Sequence, residues 1–211
     1  MSMRIRIIFS KAGAMQYVGH LDLHRAWERT FRRADLPLEY SQGFHPQPHL
    51  NLACALPVGF TSQCEILDAW LEQDCPITDI QQAIGTALPP GLGIHSVEEI
   101  DLHASTLPSR VQSAVYAITF LDAIPNLQDR LQQVLSAAHL PRMRRNKSYD
   151  LRPLIEAAYL FPPNEQGEIR LHLQLSARQA ATGRPEEVLD AMEIRFETTR
   201  IHREELILGD D

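Results

Sequence analysis

Residues 17–50, YVGHLDLHRAWERTFRRADLPLEYSQGFHPQPHL, contain four histidines, four arginines and a Gly-Phe-His-Pro-Gln-Pro loop. Within them Leu23, Trp27, Thr30, Phe31 and Ala34 recur at i, i+4, i+7, i+8 and i+11. That spacing predicts a helix over about 20–35 with one apolar stripe turned to a core. Its other face carries Arg25, Arg29, Arg32 and Arg33 and should be cationic and solvated. The following loop is stiffened by Pro37, Pro46 and Pro48, whose rings fix the backbone.

Outward from this helix the pattern changes period. Upstream, Met3, Ile5, Ile7 and Phe9 alternate with mostly polar residues, as in a half-buried strand. Downstream, Leu50, Leu52, Cys54 and Leu56 alternate, and a turn at 57–62 leads to Cys64, Ile66 and Trp70, which reads as a hairpin. Ile77, Ile80, Ile84, Ala87 and Leu88 then form a helix behind Pro76 that ends at Pro89-Pro90-Gly91. A strand at 93–100 completes the order strand, helix, strand, strand, helix, strand, which is the ferredoxin-like unit.

The second half repeats this order. After a polar linker at 101–111, Ala114, Tyr116, Ile118 and Phe120 share a strand face. Leu127, Leu131, Val134, Leu135 and Ala138 echo the spacing of the first helix. Strands are expected at about 151–161 and 168–176, a short helix from Arg184-Pro185-Glu186-Glu187, and a last strand at 195–208. The expected class is α+β: two tandem ferredoxin-like (βαββαβ) units, 1–100 and 112–211, forming a pseudo-twofold antiparallel sheet with helices on one face.

Of the 211 residues 44% are hydrophobic, enough for a sizeable core, and the formal net charge is -7. The charge is uneven: residues 1–50 carry seven cations against four acids, and 141–152 carry five against one. Two basic islands in an acidic chain suit either a focused anion-binding surface or two solvated faces. Cys54, Cys64 and Cys75 lack zinc-knuckle or redox spacing, and an odd number of thiols fits a reducing cytoplasm. No secretory leader and no membrane span are expected.

His20 and His24 sit four apart, as do His45 and His49. A helix of about 15 residues would separate the two pairs by roughly 20 Å, so no metal site is expected. Asp22 suits the first turn as a cap or as a partner for Arg25 or His24. An enzyme reading would take His20, Asp22 and His45 as its acid-base groups. The second island, RMRRNKSYDLR at 142–152, sets Tyr149 among Arg142, Arg144, Arg145 and Lys147. Cations beside an aromatic suit an RNA backbone with a stacked base, and equally a basic hairpin protected from aggregation by charge. Tyr40, Phe44 and Tyr17 add stacking surfaces near the first island, where His45 and His49 supply further contacts. No cluster-binding cysteine triad, phosphate loop, dinucleotide fingerprint or nucleophile elbow occurs in the sequence.

The phrases HLDL (20–23), RRADLPLEYSQGFHPQP (32–48), ALPVG (55–59) and GRPEEVLDAM (183–192) resemble the radical-SAM-linked domain family of bacterial proteins, whose function is uncharacterised. The resemblance runs over essentially the whole chain. It implies a companion of a radical SAM protein, with the iron-sulfur cluster and S-adenosylmethionine in that partner and no cofactor in this chain. LPPGLGIHSVEEI (88–100) and the expected architecture are similar in style to tRNA pseudouridine synthases of the anticodon-arm type. Their Gly-Arg-Thr-Asp loop has no counterpart, since the corresponding region, Ser41–Pro46, lacks both that arginine and that aspartate. Together these readings lead to the expectation of a cytoplasmic, non-catalytic companion that binds or presents a tRNA or ribosome-linked substrate. An enzyme in its own right and a protein-interaction scaffold are the alternatives.

Overall fold

The structure is a computed structural model and describes residues 2–210. It is a mixed α+β chain whose strands pair mostly antiparallel. Two compact units divide it, one ending at Val111 and also holding Gly209 and Asp210, the other spanning Gln112–Leu208.

In the first unit β1 (Met3–Lys11) leads through a short 3-10 turn to α1 (His20–Arg33), then β2 (Leu50–Leu52), β3 (Thr61–Leu71), α2 (Ile77–Ala87), β4 (Leu92–Ile100) and α3 (Leu107–Arg110). β1 lies between β3 and β4 and is antiparallel to both, while β2 pairs with β3. Alternation decides which face is dry. Met3, Ile5, Ile7 and Phe9 enter one core with Leu23, Trp27 and Phe31 of α1, Ile80 and Ile84 of α2, and Leu67, Ala69 and Leu71 of β3. Phe9 meets Trp27 edge to face at 4.9 Å, which fixes α1 on the sheet.

α1 stops where Asp35 turns left-handed (φ 53), with the Leu36 N–H donating back to the Phe31 carbonyl, so the chain is reversed before Pro37. α2 starts at Pro76, whose carbonyl accepts from Asp79 and Ile80, and ends before Pro89. Gly91 has φ 94, and a Cβ there would sit 2.5 Å from the Ala12 carbonyl oxygen, which only glycine avoids.

The other side of β1 is polar and still buried. Asp68 on β3 is fully buried and accepts from Arg4 (2.7 Å) and from Arg6 (2.8 and 2.9 Å). Arg4 also donates to the carbonyls of Ala104 and Ser105. The 101–111 stretch, expected as a linker, is thereby tied to this unit, with Leu107 fully buried in the single turn of α3. β2 is also shorter than its alternation predicts: it spans Leu50–Leu52, and beyond it the Ala53 N–H still donates to the Ile66 carbonyl of β3.

The second unit contains β5 (Val111–Phe120), α4 (Leu127–Ser136), β6 (Pro141–Arg144), β7 (Lys147–Asp150), β8 (Ile155–Leu160), β9 (Arg170–Arg178), β10 (Ala181–Thr182), α5 (Pro185–Ala191) and β11 (Thr199–Leu208). Its strand order is β10-β9-β5-β11, with β8 also pairing β9. Ala114, Tyr116 and Ile118 stand opposite Leu175, Leu173 and Leu171 on a buried face. The basic segment folds as the hairpin β6–β7, turned by Arg145 and Asn146, both with positive φ, as a two-residue hairpin turn requires. Among the described residues no helix is long and apolar enough to cross a membrane.

Candidate nucleic-acid interface

α1 places its arginines as the spacing predicts, and their surroundings differ. Arg25, Arg29, Arg32 and Arg33 are all exposed. Arg25 pairs with Asp22 at 3.1 Å, both side chains being about two-thirds exposed, so water screens the pair and leaves Arg25 available. Arg29 and Arg32 enter no ion pair among the described residues. Arg33 is occupied: it donates to the Ala87 carbonyl at the end of α2 (2.6 Å), fastening the two helices.

Beyond α1 the chain forms a closed tip. The Ser41 N–H donates to the Gln47 carbonyl, and the Gln47 N–H donates to Ser41 Oγ, both at 2.9 Å. Tyr40 bridges to Pro48 just below. Phe44 at the apex is fully exposed, and His45 beside it is exposed as well. Tyr40 is half-buried, and burial with Glu28 beside it raises its phenol against the opposing pull of Arg32. His49 anchors the return strand. Its ring stacks parallel on Trp70 at 3.8 Å, and its Nδ1 lies 3.4 Å from Glu39. Tyr17 is exposed near the start of α1.

The expected acid-base residues do not form a hydrogen-bonded set. Asp22 makes no cap, because Gly19 is the N-cap, and its partner is Arg25. His20 is held below the ordinary histidine value by burial and by His24, with Glu65 pulling the other way. His24 Nε2 faces the Leu50 carbonyl at 3.3 Å. Among the described residues no group of three or more His, Cys, Asp and Glu side chains converges as a metal site.

In the second island Arg144 is the anchor. It meets Glu187 of α5 through Nε (3.2 Å) and Nη2 (2.8 and 2.6 Å), and also donates to the Thr182 carbonyl and the Tyr149 hydroxyl, both at 3.0 Å. Its guanidinium lies over the Tyr149 ring at 4.8 Å. Burial, then Glu187, pushes the Tyr149 phenol up to about 12. Arg142 reaches Asp190 at 3.4 Å. Arg142, Arg144 and Tyr149 therefore fasten the hairpin to α5, and the exposed Arg145 and Lys147 remain at its tip. Sequence alone marked all five alike. The acids that separate them, Glu187 and Asp190, lie about 40 residues further on, where they read as first-turn and solvent-face residues of a helix. The base of the hairpin is closed by Asp150, which accepts from His139 Nδ1 (2.8 Å) and from the N–H groups of Leu140 (2.8 Å) and Arg152 (3.0 Å).

Residues 4–185 match the family described as "Uncharacterized protein conserved in bacteria (DUF2344)". No curated protein matches the chain. A solved structure described as "Crystal structure of putative glycine cleavage system transcriptional repressor" aligns with 100% of this chain and 99% of its own at 8% identity, with a TM-score of 0.26, too low to support a common fold.

Proposed function

The chain belongs to this family of uncharacterised proteins conserved in bacteria, and from that premise we propose that it is a non-catalytic RNA-binding companion of a radical SAM enzyme. The observation that carries RNA binding is that α1 leaves Arg29 and Arg32 without an ion pair among the described residues and Arg25 only screened, and that the loop following it exposes Phe44 completely on a braced tip. Cations neutralise phosphates without reading sequence, and an exposed aromatic on a pre-ordered loop stacks an unpaired base at small entropic cost. The radical SAM partner rests on the resemblance of residues 20–23, 32–48, 55–59 and 183–192. That partner would bring the iron-sulfur cluster and S-adenosylmethionine, while this chain holds a tRNA or ribosome-linked substrate near them. Three free thiols support a cytoplasmic setting. Each unit is read as ferredoxin-like, supported by the strand orders β4-β1-β3-β2 and β11-β5-β9-β8.

Filter binding of bulk tRNA at low salt tests the reading. The parent protein is expected to retain tRNA, and R25E/R29E/R32E is expected to lose at least tenfold in affinity. Phe44→Ala should weaken binding while leaving the salt dependence unchanged. No retention by the parent, or equal retention by the charge-reversed protein, removes the RNA reading and leaves a protein-interaction scaffold.

A further inference from the structure

The wet face of β8 and β9 bears an aromatic cluster that no basic island includes. Tyr159 on β8 stands opposite His172 on β9, and the two rings stack at 4.4 Å with 18° between planes. Phe161 meets Tyr159 at 5.3 Å and 73°, and His172 at 6.2 Å and 88°. These three spacings place Phe161 beside the stack. A ring lying over the outer face of Tyr159 would be much farther from His172 than 6.2 Å. One face of Tyr159 is thus covered by His172, its flank is braced by Phe161, and its outer face is open; the residue is 47% exposed.

The charge beside it is positive and unpaired. Arg170 lies over Phe161 at 5.4 Å and enters no ion pair among the described residues. The acids nearby are otherwise engaged: Glu156 by Ser113, Gln174 and Arg178, and Glu168 by the Asn164 amide at 2.9 Å. A rigid aromatic ladder on an open antiparallel sheet, with a free guanidinium at its side, matches what an unpaired nucleotide needs: a π-face for the base and a cation for the phosphate.

We propose that the outer face of Tyr159 is a base-stacking platform for a single-stranded RNA segment, with Arg170 neutralising an adjacent phosphate. The platform rests on the RNA-binding reading above and adds a second, stacking-dominated contact. Tyr159 is held by His172 and Phe161 before the strand arrives, so little side-chain freedom is lost on binding.

The test is fluorescence anisotropy of a labelled 12-nucleotide oligouridine and of an abasic strand of the same length, titrated with the full chain at several salt concentrations. For the parent, the uridine strand should bind more tightly than the abasic one. Tyr159→Ala should lose about 5-fold to 150-fold for oligouridine, nothing for the abasic strand, and keep the salt slope. Tyr159→Phe should bind like the parent, and Arg170→Ala should lower the slope by about 0.7. Matching thermal melts for parent and Tyr159→Ala exclude misfolding. If the parent binds but Tyr159→Ala binds equally well, the platform falls and the α1 surface stands. If the parent binds neither strand nor bulk tRNA, both readings fall. A Tyr159-dependent dimer in sedimentation, with no change in RNA affinity, would assign this edge to self-association and overturn the platform.

Discussion

Asp68 carries no solvent-accessible surface and accepts from two buried guanidiniums, those of Arg4 and Arg6. Removing it takes the buried counter-charge from between these two cations, and Asp68→Ala is expected to cost about 3–5 kcal/mol in urea unfolding. Asp150 is held down to about 2, first by His139 and then by two backbone N–H groups. A depressed carboxylate stabilises the fold fully above its ordinary 3.8 and loses that contribution as pH falls toward 2. Stability measured across that window should therefore fall in the parent by more than in Asp150→Asn. His20 and His202 are both lowered from 6.5, mainly by burial. The folded chain then binds fewer protons than the unfolded one, so their contribution is present above about 6.5 and diminishes as pH drops below it. Urea midpoints at successive pH values should decline through that range, and replacing both histidines by Gln should flatten the decline.

At the scale of elements, α1 carries both the core of the first unit and its free cations. Its buried and exposed faces were legible in residues 20–35 because side-chain period and burial coincide along one helix. Trp27 is fully buried between Phe9 and Phe31, and Trp27→Ala is expected to cost about 3–5 kcal/mol, read from denaturant melts. The β6–β7 hairpin was less legible. A two-residue turn needs left-handed residues, and Arg145-Asn146 carries only half of the familiar Asn-Gly signal. Which of its arginines face solvent depends on α5, an element remote in sequence. Burial and Glu187 raise the Tyr149 phenol while Arg144 pulls it down, so Glu187→Gln should bring it back toward 10, Arg144→Ala should not lower it, and Arg145→Ala should leave it near 12 in an absorbance titration.

Across the whole molecule, the excess of acids leaves few cations able to meet a polyanion. Arg33, Arg142 and Arg144 are occupied internally, while Arg25, Arg29 and Arg32 remain on α1, Arg145 and Lys147 on the hairpin tip and Arg170 on β9. With about 0.7 of a counterion released per single-strand phosphate contact, three contacts give a log-log salt slope of about -2, and five give about -3.5. A slope near about -2 in the anisotropy titration would confine the phosphate contacts to α1, and a steeper one would bring in the hairpin tip or Arg170.

Local periodicity determined the order of the main strands and helices of the first unit, the apolar stripe of α1, the first-turn proline of α5 and the stiff loop around Phe44, since each follows from side chains within a few residues of one another. Tertiary structure alone decided that 101–111 belongs to the first unit through Arg4, that Glu187 and Asp190 withdraw Arg144 and Arg142 from solvent, and that Tyr159, Phe161, His172 and Arg170 form one aromatic cluster. The reason is common to all three: a charge or ring is free or engaged according to partners brought close by strand pairing and helix docking, and those partners lie about 10 to 100 residues away along the chain, beyond the reach of any local pattern.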